Sequence, residues 1–284
     1  MDVDLARTFL AVVETGSFVA AASRVFVTQS TVSMRIKSLE QQLGKSLFER
    51  SKAGATLTPA GAQFHKHAVA MVRVWGQARL EIALPAGYQA ALMVGGQYSL
   101  WDGFLLEWLA RMRAKAPDIA LRTQSGFSNV LMQRLVEGTL DIGVMYTPHS
   151  RPGFELEMLF EDELVLVSSE PRPSSKPGKI YIYIDWGPEF QADHSLNFPD
   201  LSTPGLYMEL GSLSLNYLLK NHASGYFPKR LVIPHLQAGT LKLVSQAPAF
   251  HYPAYVVYPA DGDQNLLDLA LKTMRKVAAG HATV

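Results

Sequence analysis

From Ser17 to Arg50 the apolar positions repeat with a helical period. Val32, Ile36, Leu39 and Leu43 fall at i, i+4, i+7 and i+11, a single apolar stripe. Gln29, Thr31, Ser33, Arg35 and Lys37 occupy the other side. Thr28 is placed to cap this helix, and Gly44 stands where a left-handed C-terminal residue is wanted. Upstream, Ser17 can cap a short helix rich in alanine, Ala20 to Ala22, whose small side chains let two helices cross closely. Leu5, Phe9, Leu10, Val12 and Val13 mark a first helix that closes a three-helix core. A helix, a tight turn and a second helix opening on small polar residues is how a chain places side chains in the major groove of DNA. The alternative is an ordinary amphipathic pair with a solvated polar face.

Beyond the second helix, Leu47 and Phe48 should anchor in the core. Arg50, Ser51 and Lys52 lead into Ala53-Gly54-Ala55, a turn between two short strands, and Thr56, Leu57 and Thr58 form the return. A basic hairpin tip can lie along the DNA backbone or enter the minor groove, or simply keep the hairpin soluble. Thr58 and Pro59 then begin a long helix that should run to about Leu84, where Pro85 and Gly87 stop it. Phe64, Ala68, Met71, Trp75, Ala78 and Ile82 are spaced 4, 3, 4, 3 and 4 residues apart, an a/d seam. Such a seam must be buried, against the helix's own domain or against a second copy. His65 and His67 stand at i, i+2 and do not share a face, so no metal site is expected there.

After Ala90 the pattern alternates between strands and helices. Leu92–Gly95, Ile119–Thr123 and Asp141–Tyr146 read as strands. Trp101–Lys115, with Phe104, Leu105, Trp108, Leu109 and Met112 inward, and Asn129–Glu137 read as helices. This order predicts an α/β domain with a largely parallel sheet. Ligands on such sheets bind beyond the carboxyl ends of strands, near helix N-termini. The junctions expected there are Gly96-Gln97-Tyr98-Ser99, Ser125-Gly126-Phe127-Ser128-Asn129 and Gly211-Ser212-Leu213-Ser214. Their glycines, hydroxyls and free amides suit a carboxylate or another anion, although each serine serves equally well as a helix cap. Tyr146 and Tyr226-Phe227 are candidates to wall the site, and Trp101 and Trp186 hint weakly at a flat ligand.

Taken in order, Ala21-Ala22, TQSTVS at 28–33, LE..LG..LFER at 39–50 and LTPAG at 57–61 resemble the winged helix-turn-helix of the LysR-type transcriptional regulators. The resemblance is dense over roughly the first 65 residues. It continues more weakly through LARMRAKAPDIALRTQSG and LVEGTLDIGVMY, and through Gly225–Pro228 and Leu236–Leu241. It implies an amino-terminal winged helix-turn-helix over 1–58, a linker (dimerisation) helix over 59–88 and an effector-binding domain over 89–284. That last domain would be a two-lobed α/β unit like a small periplasmic binding protein. Lobe 1 would cover about 91–165 plus 262–284 and lobe 2 about 166–261, with crossings near Ser168 and Pro259. Thr28, Gln29, Ser30, Ser33 and Arg35 match the family's DNA-contacting positions. Gln29 suits an adenine edge, and Arg35 a guanine edge or a phosphate. Many members carry a basic residue where this chain has Met34, and a polar one where it has Arg35. The family also implies pairing of the linker helix with its twin, a homodimer or homotetramer, an interrupted palindromic operator, a small-molecule effector and, for an activator, RNA polymerase as a partner.

Charge adds modestly to this reading. Residues 1–88 hold ten Lys/Arg against six Asp/Glu, net +4, and residues 89–284 hold sixteen against nineteen, net −3. A basic head agrees with nucleic acid without establishing it. The chain has no cysteine, so disulfides and thiol switches are excluded. Asp2 and Asp4 stand where a signal peptide would carry basic residues, and no stretch is long and apolar enough to span a bilayer. A cytoplasmic protein is expected, with no cofactor and no metal. No GxSxG, GxGxxG after a strand, P-loop or HExxH occurs, which argues against an enzyme. Asp185 and Glu189 could share a helix face but read better as a solvated pair. Two alternatives remain: a solute-binding protein, and an architectural DNA-binding protein whose large domain only oligomerises. Pro171–Gly178, rich in Pro and Ser, has no assignable role.

Overall fold

The computed structural model describes residues 2–51, 54–82, 84, 86–170, 180–201 and 204–281. Lys52 and Ala53 of the hairpin turn, Pro85 at the expected helix stop and the stretch 171–178 lie outside the described residues. The chain divides into two compact units. One holds the residues up to Ala91 with Gln133–Asp141, the other Leu92–Met132 and the chain from Ile142 onward.

In the first unit, α1 (Val3–Thr15), α2 (Phe18–Arg24) and α3 (Gln29–Leu43) are followed by a hairpin of β1 (Phe48–Ser51) and β2 (Gly54–Leu57), then by α4 (Pro59–Ile82). Side-chain oxygens of Asp2, Ser17 and Thr28 cap the first three helices, and Gly44 ends α3 at φ 67°. Val32, Ile36 and Leu39 are fully buried, whereas Leu43, directly before the chain turns at Gly44, is 41% exposed. The Phe9 ring lies 5.1 Å from that of Phe48 and 5.0 Å from that of Phe64, tying α1 to the hairpin and to α4. Glu40 Oε1 accepts the Leu47 N–H at 2.7 Å, and Thr58 Oγ1 donates to the Ser46 carbonyl at 2.8 Å. These two bonds fix the hairpin against α3 and set the start of α4.

The seam of α4 is divided between two environments. Phe64 and Ala68 are buried against α1 together with Val72, so they belong to the head's own core. They are not free to face a second copy, as the heptad spacing suggested. Met71 and Ala78 are half-buried, and Trp75 and Ile82 are exposed with Val74 beside them.

The second unit contains β3 (Ala90–Gly96), α5 (Tyr98–Leu100), α6 (Leu106–Lys115), β4 (Ile119–Ser125), α7 (Ser128–Val136), β5 (Ile142–Tyr146) and β6 (Phe154–Ser168). It continues with β7 (Tyr181–Ile184), α8 (Pro188–Asn197), β8 (Leu206–Met208), α9 (Ser214–Lys220) and β9 (Ser224–Pro228). Last come α10 (Lys229–Gln237), β10 (Lys242–Leu243), β11 (Phe250–Pro259) and α11 (Gln264–His281). By contacts, the ends of β3 and α7 group with the first unit. The strand order is β4-β3-β5-β11-β6-β9-β7-β8, with β10 also on β6. β3/β5, β7/β8 and β7/β9 pair in parallel, and the centre is antiparallel.

Two features depart from expectation. First, the helix expected over Trp101–Lys115 is broken: Asp102 is extended (ψ 132°) and Gly103 left-handed (φ 76°). Trp101 Nε1 bonds the carbonyls of Gly96 and Gln124, both at 3.1 Å, which holds its ring out of a continuous helix. Second, β11 spans both lobes before it ends at the expected crossing, Pro259. Leu164 pairs with Phe250 at one end and Phe154 with Pro259 at the other, while Ala254–Val257 also pair with β5. The second crossing therefore lies near Phe250–Ala254, not at Pro259, and Tyr255–Pro259 belong with lobe 1. Pro259 marks the end of the strand, which a sequence reading takes for the end of a lobe.

Candidate functional site

At about 100° per residue, Ser30, Met34, Lys37 and Gln41 share one sector of α3, and all four are exposed. Thr28, Ser30 and Thr31 form a hydroxyl cluster at its start: Thr28 Oγ1 lies 2.8 Å from Ser30 Oγ and 2.9 Å from Thr31 Oγ1, and accepts the Thr31 N–H at 3.2 Å. Gln29 is exposed beside them and Ser33 is half-buried. Arg50 is exposed with its guanidinium 4.0 Å over the Phe18 ring. Arg35 departs from the expected reading face. Its Nη1 donates to Thr8 Oγ1 at 3.2 Å and its Nη2 lies 3.5 Å from Asp4 Oδ2. It sits about 100° round the helix from Met34, beside the buried stripe, and faces α1.

The inter-lobe cleft gathers Gln97, Tyr98, Phe127 and Ser128 from lobe 1. Gln97 is buried, and its Oε1 accepts the Tyr146 N–H, while the Ser128 hydroxyl donates to the Tyr146 carbonyl at 2.6 Å and lies 3.4 Å from Oε1. An N–H donor on Oε1 fixes the amide orientation, so Nε2 must point away, where it has no partner. Tyr98 packs edge-on against Phe127, with centroids 6.0 Å apart. Across the cleft, Gly187 has φ +117°; a Cβ there would lie 3.3 Å from Glu189 Oε2, 3.5 Å from Phe127 and 3.6 Å from Gln97 Nε2. Glycine thus leaves a gap the size of one methyl group, bounded by an unpaired donor, a carboxylate and a ring edge. Thr147 donates to Glu189 from the opposite lobe. Asp185 precedes α8 and shares no helix face with Glu189; its oxygens accept the Gly187 N–H at 2.9 Å and the Tyr207 hydroxyl at 2.8 Å.

Several expected cleft residues have other partners. Ser99 Oγ donates to the Tyr146 hydroxyl at 2.9 Å, which donates to Asp162 Oδ2 at 2.7 Å. Arg230 Nε lies 3.2 Å from the same Oδ2, and its guanidinium also donates to the carbonyls of Ser99 and Asp102. Both charged side chains are nearly inaccessible, 5% for Arg230 and 3% for Asp162. Burial, reinforced by the Asp162 charge, pushes the Tyr146 phenol well above its usual value, so it stays a neutral donor. Ser99 and Tyr146 thus belong to a buried lobe 1 network, which Arg230 ties to lobe 2, rather than to a cleft wall. Tyr226 is fully buried, its hydroxyl bonded to the Pro248 carbonyl at 2.9 Å, because every residue of β9 lies inside the sheet. Trp186 is likewise packed, with Nε1 on the Tyr226 carbonyl at 2.8 Å. Ser125 is exposed at the end of β4, and Ser212 is half-buried in the Gly211–Leu213 turn.

Asp162 and Arg230 were not anticipated. The signal was present for Asp162, since it alternates with Phe160 and Leu164 on the inward face of β6. A carboxylate on the buried side of a strand calls for a partner. Arg230, Thr147 and Glu189 carry no local pattern; only the fold brings them together.

A capped helix-turn-helix with a hairpin wing, followed by a long helix and a two-lobed α/β domain, is the architecture of a DNA-binding regulator with a sensor domain. Residues 3–62 match the model of the bacterial regulatory helix-turn-helix proteins of the lysR family, and residues 85–178 match the LysR substrate binding domain. The chain belongs to the LysR family of transcriptional regulators. It is 28% identical over 296 aligned positions to the HTH-type transcriptional regulator HdfR of Yersinia pestis (strain Pestoides F), covering 100% of this chain and 98% of that one. HdfR of Yersinia pseudotuberculosis serotype O:1b (strain IP 31758) matches to the same extent. In fold it is similar to ArgP from Mycobacterium tuberculosis, with a TM-score of 0.61, 22% identity and coverage of 99% of this chain and 98% of that one. Full-length LysG from Corynebacterium glutamicum gives a TM-score of 0.61 at 18% identity, covering 99% of each chain. The relatives are regulators, and the role of this chain is regulatory rather than enzymatic. Among the described residues no helix is long and apolar enough to cross a membrane, and no group of three or more His, Asp or Glu is arranged to hold a metal.

Proposed function

We propose that this chain is an effector-responsive, sequence-specific regulator acting in the cytoplasm on an interrupted palindromic operator. Thr28, Gln29, Ser30, Thr31 and Ser33 would meet phosphates and base edges from the start of α3, with Arg50 and Lys52 of the wing on the backbone. Residues 1–58 would be the reading head and 59–88 the linker. The exposed part of the α4 seam, Trp75 and Ile82 with Ala78, would pair with a second copy in a homodimer or homotetramer. The effector would lie among Gln97, Tyr98, Phe127 and Ser128, with Ser125 and Ser212 at the rim. The observation that carries the sensor reading is the Gln97 amide: a buried donor of fixed orientation, without a partner, aimed into the gap at Gly187. A ligand carboxylate or carbonyl supplies the missing acceptor. Glu189 on the other side of the gap favours a ligand that also carries a donor.

The test is binding of the full chain to its own upstream DNA, in a salt series, with small carboxylates, amino acids and aromatic metabolites. Salt-sensitive, sequence-preferring binding that one compound alters, and that Gln97→Ala makes unresponsive, is the expected result. Specific binding indifferent to every compound would favour the architectural alternative.

A further inference from the structure

We propose that Met34 is a specificity-determining residue that reads the C5-methyl group of a thymine, so that α3 selects an A·T pair where an arginine at the same place would select guanine. This rests on the head's being the DNA-reading element. Within the exposed sector of α3, Ser30, Lys37 and Gln41 are polar and Met34 alone is apolar. Met34 is 66% exposed, so the head's own core does not account for it. It stands one turn after Ser30, whose hydroxyl belongs to the cluster at the helix start, and one turn before Lys37. A residue there faces the same groove floor as the polar residues flanking it.

Arg35, the other long side chain of that turn, is withdrawn to Thr8 and Asp4. The strong guanine contact, a guanidinium on O6 and N7, is thereby missing from the middle of the helix. What remains between Ser30 and Lys37 is an unbranched thioether, with no donor and only a weak acceptor. In the major groove the apolar feature that distinguishes one base from the others is the thymine methyl. Met34 is flexible enough to cover it and gains nothing comparable from the polar edges of guanine, cytosine or adenine.

The test uses the full chain and an operator selected from a random duplex library. Each thymine of a half-site is replaced in turn by uracil, which removes only the methyl group. Burying one methyl-sized group gives about fourfold in affinity. One thymine per half-site should therefore show roughly a fourfold loss on replacement, and Met34→Ala should abolish that sensitivity while leaving the other positions as they were. Met34→Leu should retain it, and Met34→Arg should move the preference at that pair toward guanine. Indifference to uracil throughout the half-site, or the same sensitive thymine in Met34→Ala as in the native chain, overturns the proposal and leaves DNA binding intact. Failure to enrich any sequence overturns the reading head and this proposal together.

Discussion

His194 should make the second unit lose stability in mild acid. Its imidazole is 1% exposed, packed among the rings of Tyr181, Tyr183, Phe190, Phe198 and Tyr226, with the Tyr181 hydroxyl 2.8 Å from Nε2. Burial there lowers its pKa from the ordinary 6.5 to about 4. The folded state therefore holds the neutral ring while the unfolded chain takes up a proton. Stability from this residue is complete above the unfolded pKa, falls as the pH drops below it, and is gone below the folded one. At about 1.4 kcal/mol per unit, the whole span is worth about 3 kcal/mol, and descent to about pH 5 costs about 2 kcal/mol. Urea unfolding followed by tryptophan fluorescence near pH 7.5 and near pH 5 measures the loss. His194→Phe removes the titration and should flatten the pH dependence by that amount, whatever it does to stability at neutral pH. His281, whose pKa burial also lowers, is unchanged in the variant and cancels in the comparison. An equal pH dependence in native and variant chains, or a His194 ring titrating near its ordinary value by NMR, would refute the reasoning.

Arg35→Ala should leave base preference unaltered in a selection experiment and lower stability by at most about 1 kcal/mol, since it loses a partly exposed pair with Asp4. A changed preference would return Arg35 to the reading face. Arg230→Met strands the Asp162 carboxylate, and should cost about 3 kcal/mol or more in denaturant titration. Pairing it with Asp162→Asn should recover part of that, and a simple sum of the two losses would deny the bridge. Trp75→Glu should leave a folded chain that sediments as a monomer; an intact dimer would remove the exposed seam of α4 from the interface.

The caps and the three-helix head could be read in advance because they depend on neighbours in the sequence. Thr28 and Ser17 accept from N–H groups three residues on, and Gly44 needs only its own backbone freedom. Arg35 could not be placed in the same way. It lies at the margin of the polar face, and its direction depends on Asp4 and Thr8 in another helix. Phe64 and Ala68 show a similar ambiguity: a heptad seam looks the same whether the covering surface is a twin helix or α1. Tyr146 ends a strand as cleft residues do, and Tyr226 lies in the middle of one, but the side of the pleat each takes is set by register with strands far along the chain. The break at Asp102–Gly103 was obscured by an uninterrupted helical spacing of Phe104, Leu105, Trp108 and Met112. The bonds that hold it come from Gly96, Gln124 and Arg230.

The lobes are joined by β6 and β11, two strands hydrogen-bonded along ten residue pairs, rather than by a pair of loose connections. Such a strip cannot lengthen, and it cannot fold sharply without breaking its ladder. Any displacement of one lobe against the other must be a torsion of the strip, taken up where the ladder is already irregular, between Ala254 and Tyr255. The second unit then holds a stiff torsion spring between its lobes, with the buried Arg230–Asp162 pair beside it. An effector held at Gly187 as proposed would work against that spring, and its message would be a small rotation rather than a wide closure.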